Sequence, residues 1–531
     1  MSGSKRVLVA VLSLVALAIV SIAILVGFEI NRIKAIFAAN AELKEEGYYL
    51  SPFEFELLSV SYYLNNGHYL EGISRLNEIH HVMTTRDGLV KIPSFADPAE
   101  KLDFYRSLQN PETGAFYPNS SDPVVTYIGV TANMINLIET LSLEAGEPFS
   151  LKYPLRFLDE IDTPDRLTAM LDDVSRVGWI GRKIKPAFVS AIELQDLIDQ
   201  DERLGIYGFS DELKHAFYRW FYDNQNPDTG LWGPRDRSTG EMIDGGDIGD
   251  SGKIIKMFVD ADGNNIHPDM PLRYTDRIFA STIAGLSRPM PDTADGRHRW
   301  ILDQDRGFRF LTRYVWNNAT KTEKETVRAL LEQFVTTRFA LYYQPQEGAF
   351  SLYPDADHAD LDGTSEAAGM LDYAGELSAE RQAALWGGPA MTIRDLEPMA
   401  VDALDDEALA PIAASTGIVS VRFYAAEPSG NFTETPLAIL YPRPPVVRDT
   451  VDLIRSMREW LDTTSQEMGN WGRREAIVGR LAATPVNPTA PVLAASDVAI
   501  VDALLSEHIF LVAIGFDTLQ VPRVQIVYEK N

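Results

Sequence analysis

A turn that begins with Gln and closes on Gly and an aromatic residue occurs three times in this chain. The copies are Gln109–Phe116, Gln225–Trp232 and the looser Gln344–Phe350, so equivalent positions lie about 117 residues apart. Self-similarity at a fixed period is typical of a repeated architecture, and it limits the possible folds more than any other feature of a sequence. The repeat indicates a chain built from similar units in series.

Helices are predicted on both sides of these turns. Apolar residues recur at helical spacing over Asp211–Tyr222 and from Thr322 onward, directly before the second and third turns. The stretches after the three turns also indicate helices, namely Tyr127–Leu141, Ser251–Val259 and Thr364–Leu377. A period of about 117 residues has room for two helical hairpins. The sequence therefore predicts a mainly α fold in which about six hairpins close into an α/α toroid, and an open solenoid of stacked hairpins is the alternative.

Several helix starts carry capping residues. Ser51, Asp97 and Thr163 each precede a Pro, which favours the first position of a helix. Thr322, with Glu325 three residues later, has the pattern of a capping box.

The N-terminal segment predicts a membrane anchor. Residues Val7–Phe28 form 22 positions without a charge. A helix of that length, rising about 1.5 Å per residue, spans the ~30 Å hydrocarbon layer. A cleaved signal peptide is the alternative, although its apolar region is usually shorter. Lys5 and Arg6 favour an inner N-terminus, so the body of the protein is expected outside the cytoplasm, on the periplasmic side of the inner membrane.

The composition changes after about residue 415. Gly417–Tyr424 with Pro436–Tyr441, and Ile509–Phe516 with Val521–Tyr528, predict two β-hairpins, and Asp449–Leu461 predicts a helix between them. The expected domains are therefore a membrane anchor at 1–34, the α/α toroid at 45–410 and a small α+β module at 416–531.

Charge and cysteine content exclude several kinds of partner and chemistry. The net charge is −28, which repels phosphate backbones, so nucleic acid is not an expected partner. The chain contains no cysteine, which removes disulfides, thiolate metal sites and a Cys nucleophile.

The repeated turn resembles the QW motif of the terpenoid cyclases, which share an α/α toroid with the protein prenyltransferases. The match is best at Gln225–Trp232, whereas Phe116 and Phe350 stand where the motif has Trp. The resemblance implies the toroid. It does not bring the chemistry with it, because the chain lacks the Asp-x-Asp-Asp motif of the cyclases and the Cys ligand of the prenyltransferase zinc.

An acidic loop follows the third turn. Asp355, Asp357, Asp360 and Asp362, together with His358, lie within eight residues just before a predicted helix. Crowded carboxylates raise one another's proton affinity, so such a cluster can supply a general acid beside a general base. The alternative is a solvated loop in which Asp362 or Thr364 caps the next helix.

A second acidic loop follows the second turn and contains Asp244 and Asp247. Carboxylates that face one cavity suit the cleavage of a glycosidic bond. The predicted catalytic residues are Asp360, Asp362, His358, Asp244 and Asp247. The predicted substrate-binding residues are Trp232, Arg235, Tyr353, Asp355 and Asp357, although Trp232 also fits a purely structural role in the core. No cofactor is predicted, and of the metals only Ca²⁺ suits an oxygen-rich loop of this kind.

The sequence is compatible with three functions. The first is a membrane-anchored protein that binds or acts on a cell-envelope or exported polysaccharide, as a hydrolase or lyase. The second is a non-enzymatic scaffold of an envelope assembly complex, with envelope proteins as its partners. The third is an isoprenoid or lipid enzyme, which would need a cavity lined by apolar and aromatic residues.

Overall fold

A computed structural model describes the central part of the chain and several shorter segments. The described residues are 35–36, 39–40, 42–43, 46–50, 52–178, 188–261, 263–354, 356–375, 377, 381, 384–385, 420–423, 438–440, 450–463, 477–478, 481, 511–515 and 525–527. They divide into two compact units. Unit 1 comprises the described residues within 1–217 and 234–241, and unit 2 comprises those within 218–233, 242–465 and 470–531.

Unit 1 is helical. Its α-helices are α1 (Phe53–Asn65), α2 (Tyr69–Thr85), α3 (Pro98–Ser107), α4 (Val125–Ala145), α5 (Pro164–Val174), α6 (Phe188–Ile192) and α7 (Leu194–Leu204), and a 3₁₀ helix covers Arg156–Ile161. The helix α8 (Asp211–Asp223) contains the boundary between the two units. Strands β1 (Arg176–Val177) and β2 (Arg235–Asp236) form a short parallel pair.

Consecutive helices in unit 1 pack as hairpins. Helix α1 packs against α2, α3 packs against α4, and α4 also contacts α1, α6 and α7. The predicted caps at Asp97 and Thr163 are confirmed, because their side chains accept the backbone N–H groups of Glu100 and Arg166. Pro52 occupies the N-cap position of α1 and makes no side-chain capping hydrogen bond, and the predicted cap Ser51 lies outside the described residues.

Unit 2 is built around one helix. Its α-helices are α9 (Ile248–Ile254), α10 (Thr275–Leu286), α11 (Ala294–Arg309), α12 (Lys321–Tyr342), α13 (Leu361–Tyr373) and α14 (Thr450–Thr463). Helix α11 packs against α9, α10, α12 and α13 and continues into a π-helical turn at Phe310–Val315. The capping box of α12 begins at Thr320, not at the predicted Thr322, because Thr320 and Glu323 exchange the two bonds that define it.

The predicted β-hairpins are confirmed in unit 2. Apart from the short antiparallel pair β3 (Tyr343–Gln344) and β4 (Ala349–Phe350) at the third turn, strands β5 (Ser420–Phe423) and β6 (Ala438–Leu440) are antiparallel, as are β7 (Leu511–Gly515) and β8 (Gln525–Val527). Strands β5 and β7 also pair, so the sheet has the order β6-β5-β7-β8. The fold is mainly α, as predicted, with this small sheet and the helix α14 in the C-terminal part of the chain.

The anchor segment Val7–Phe28 lies outside the described residues. Within the residues that are described, no helix combines the length and the apolar character needed to cross a membrane.

Candidate functional site

The three repeated turns share one backbone conformation. Gly114, Gly230 and Gly348 have φ angles of +74°, +72° and +68°. Each of these glycines donates its N–H to the carbonyl oxygen four residues earlier, over 2.8 Å in every case. Only glycine adopts such angles at little cost, which explains why the repeat keeps this residue type.

The Gln residues of the repeat are not all equivalent. Gln109 and Gln225 lie five residues before the glycine, and their side-chain amides donate to its carbonyl oxygen at 2.7 and 2.8 Å. Gln344 lies only four residues before Gly348, at the position that Asn occupies in the other turns, and its amide donates to the carbonyl of Ala356 at 2.7 Å. The third copy therefore keeps the glycine conformation and replaces the Gln contact.

A hydroxyl group from the next helix completes each turn. The backbone N–H of Phe116 donates to Thr131 Oγ1 at 3.2 Å, and that of Trp232 donates to Ser251 Oγ at 2.8 Å. In the third turn Phe350 donates to Thr364 Oγ1 at 3.2 Å. These hydroxyl groups were missed by the sequence analysis, since their distance from the aromatic residue varies between the copies.

Trp232 lies in the core, which agrees with the purely structural role and not with substrate binding. Its side chain is 1% exposed, its Nε1–H donates to the carbonyl of Phe221 at 2.7 Å, and its ring stacks on Phe258. The ring is thus not available to a sugar in this structure. We exclude it from the candidate site.

Two of the predicted catalytic carboxylates cap helices. Asp247 precedes α9 and accepts the N–H of Asp250 at 2.8 Å. Asp360 precedes α13 and accepts the N–H groups of Gly363 and Leu352 at 2.6 and 2.7 Å. The cap of α13 is therefore neither Asp362 nor Thr364, the residues considered in the alternative interpretation. Burial raises the pKa of Asp360, although the backbone bonds oppose this shift.

The remaining predicted residues lie in different surroundings. The His358 side chain is 83% exposed and contacts Glu347 Oε1 at 2.7 Å, and this carboxylate raises the pKa of His358. Asp357 and Asp244 are exposed, Asp244 with a φ of +51°, and Asp362 is half-buried at the start of α13. Asp355 lies outside the described residues, and Arg235 belongs to unit 1.

Tyr353 forms an exposed aromatic platform in unit 2. Its side chain is 50% exposed, and its ring stacks on that of His298 in α11, with centroids 4.3 Å apart and planes inclined by 14°. His298 Nδ1 lies 3.4 Å from the carbonyl oxygen of Leu352, whose N–H binds the Asp360 cap. The platform is thus fixed to α11 and to the start of α13.

Charged residues of α11 lie between this platform and the second acidic loop. Arg299, Asp303 and Arg306 are exposed and recur at i, i+4 and i+7, so they share one face of the helix. A Cβ added at Gly249 would lie 2.9 Å from Asp247 Oδ1 and 3.0 Å from Arg306 Nη1, so these two groups converge there.

Asp303 has an altered proton affinity. Its side chain reaches solvent, yet the surrounding protein raises its pKa, and the Asp247 carboxylate raises it further. The guanidinium groups of Arg306, Arg299 and Arg288 oppose this shift. We call Tyr353, His298, Arg299, Asp303, Arg306 and Asp247 the α11 face.

The α11 face contains two predicted site residues, Tyr353 and Asp247, and four that sequence reasoning missed. A signal for the missed residues is present in the spacing of Arg299, Asp303 and Arg306, which places three charges on one helical face. In the part of the chain that the structure describes, no three His, Asp or Glu side chains come together as a group that could hold a metal ion.

Comparisons with known proteins identify no relative. No family model, no curated protein and no solved structure matches this chain.

Proposed function

We propose that the protein binds a cell-envelope or exported polysaccharide through the α11 face of unit 2. The observation that carries the proposal is the half-exposed Tyr353 ring, which stacks on His298. His298 is followed in α11 by Arg299, the first of three exposed charged residues at helical spacing. A sugar offers an apolar ring face and a rim of hydroxyl groups. An exposed aromatic ring stacked on a helix that also carries side chains able to form hydrogen bonds matches both features.

The charges of this face favour a polysaccharide that carries carboxylates. Arg299 and Arg306 equal the carboxylates Asp247 and Asp303 in number, and Arg288 adds a further positive charge close enough to lower the pKa of Asp303. This face therefore lacks the acidic excess of the whole protein, whose net charge is −28. Guanidinium groups bind carboxylates through paired, charge-assisted hydrogen bonds. Such a polar surface suits a glycan better than the isoprenoid substrate of the third hypothesis.

In this proposal the N-terminal segment anchors the protein in the membrane, and the helical hairpins close into a toroid. The uncharged segment Val7–Phe28 would hold the protein at the membrane with its body on the periplasmic side. The shared conformation of the turns at Gly114, Gly230 and Gly348 supports a true structural repeat, which a ring of helical hairpins would use three times.

An enzymatic form of the proposal assigns the general acid to Asp303. A raised pKa keeps a carboxylic acid protonated closer to neutral pH, as the acid of a glycosidase requires. Asp247, which contributes to that shift, would be its carboxylate partner. Asp360 is less suited because both of its oxygens already accept backbone N–H groups.

The test compares the affinity of the full-length protein and its variants for polygalacturonate by isothermal titration calorimetry. Tyr353→Ala should weaken binding about tenfold, or ~1.4 kcal/mol, because the stacking surface is lost. Tyr69→Ala is the matched control, since Tyr69 is 43% exposed but belongs to unit 1, and its affinity should not change. Equal affinities of Tyr353→Ala and the native protein would contradict the proposal.

The same preparations separate an enzyme from a binding protein. New reducing ends that appear with the native protein and are lost in Asp303→Asn, while binding persists, would identify a hydrolase. Binding without release of reducing ends or unsaturated products would identify a non-enzymatic protein of the envelope.

A further inference from the structure

Unit 1 contains a cavity that none of the predicted site residues lines. Its volume is about 110 Å³, and Tyr49, Phe53, Glu56, Phe116 and Tyr117 are among the residues of its wall. Cavities for drug-sized ligands usually measure about 300–1,000 Å³, so only a compact molecule fits here.

Glu56 is the acidic group of this cavity. It lies on α1, half-buried, and its carboxylate has no hydrogen bond or ion pair to any residue that the structure describes. Burial raises the pKa of Glu56 to about 7, with Asp122 and Glu78 adding to the shift and Arg75 opposing it. An unpaired carboxyl group in such surroundings is costly to ionise unless a cation joins it.

The charged groups near Glu56 pair with one another and not with its carboxylate. Arg75 Nη1 lies 2.8 Å from Glu78 Oε2, and Arg75 Nη2 lies 3.1 Å from Asp122 Oδ2. The Tyr117 hydroxyl donates to Asp122 at 2.6 Å and accepts from Arg75 at 3.1 Å, so these groups satisfy one another. Arg75 is thus already paired with two carboxylates, and it acts on Glu56 only through its charge.

We propose that this cavity binds a compact organic amine, with the Glu56 carboxylate as its counter-ion and the aromatic side chains as its walls. Aromatic rings attract a cation through their π-electron faces, and four aromatic residues line the cavity. The acidic field of the whole protein increases the local concentration of cations. This site lies in unit 1 and does not depend on the glycan-binding proposal for unit 2.

The test uses tert-butylamine, which is cationic below about pH 10, and its neutral isostere tert-butanol. Titration calorimetry on the full-length protein should give an affinity for the amine at least about tenfold higher than for the alcohol. The affinity for the amine should rise as the pH increases towards about 7 and then level off, because below that value the amine must displace the proton of Glu56. Proton release on binding should appear as a buffer-dependent enthalpy.

Two variants test whether the preference for the amine depends on Glu56. Glu56→Gln keeps the size of the side chain and should abolish both the preference for the amine and the pH dependence. Glu78→Gln removes another carboxylate near Arg75 that does not line the cavity, and it should keep both. Equal affinities of the native protein for amine and alcohol would overturn the proposal, and so would an amine preference that persists in Glu56→Gln. The comparison of amine with alcohol needs no variant, so it holds even if Glu56→Gln does not fold.

Discussion

Arg338→Met is expected to lower the free energy of unfolding by about 3–5 kcal/mol, the typical loss when one partner of a buried ion pair is removed. Arg338 is 1% exposed, its guanidinium contacts the Asp305 carboxylate, and its Nη2 donates to the carbonyl of Gly363 at 3.2 Å. The Tyr373 hydroxyl donates to the other oxygen of Asp305 at 2.5 Å. Among the described residues, Tyr373 is then the one side chain left to donate a hydrogen bond to the buried Asp305, while Arg309 acts on it only through its charge. Urea denaturation followed by circular dichroism measures the loss.

The pH dependence and two further variants identify the cause. Burial raises the pKa of Asp305, so at low pH the carboxylate of Arg338→Met takes up a proton and the loss should shrink. A double variant with Asp305→Leu should recover much of the stability, because it removes the orphaned charge. Lys321→Met disrupts an ion pair of unit 2 whose Lys side chain is 91% exposed, and it should cost less than about 1 kcal/mol. Similar losses for Arg338→Met and Lys321→Met would refute this explanation.

Gly114→Ala is expected to cost about 2–5 kcal/mol. The left-handed backbone conformation costs an L-residue about 1–2 kcal/mol, and overpacking in a tight site adds about 1–3 kcal/mol. The φ angle is +74°, and an added Cβ would lie 1.9 Å from the carbonyl oxygen of Pro154. This neighbour is backbone and cannot rotate away, so the whole turn must shift.

Gly146→Ala separates the conformational cost from the cost of overpacking. Gly146 ends α4 with a φ of +68°, but an added Cβ there has no atom within 4 Å. It should cost only the conformational part, about 1–2 kcal/mol. Both variants belong to unit 1, so their urea midpoints are directly comparable. A cost for Gly114→Ala no larger than that for Gly146→Ala would show that the close packing of the first turn contributes nothing.

Local features of this fold were predictable from the sequence. The caps at Asp97 and Thr163, the helices around the turns and the two C-terminal hairpins follow from short-range rules of capping and periodicity, and the structure confirms them. The error at Thr322 has a physical cause. Thr320 and Thr322 both precede an acidic residue at the required spacing, and only the backbone conformation decides which one caps the helix.

Contacts between distant segments were not predictable in this way. Asp247 and Asp360 were singled out for their acidity, but their side chains cap helices in the structure. The contribution of His298 and Asp303 depends on the packing of α11 against elements more than 40 residues away in the chain, which no local pattern reveals. Glu56 was overlooked because it lies in an apolar helix, and its cavity forms only when segments around residues 50, 88 and 117 meet.

The glycan preference of the native protein tests the central claim most directly. Titration calorimetry should compare polygalacturonate, which carries carboxylates, with neutral dextran at low and at high salt. We predict at least about tenfold tighter binding of polygalacturonate, with a preference that shrinks as salt screens the guanidinium groups of Arg299 and Arg306. Equal affinity for the two polymers, or no saturable binding of either, would contradict the account.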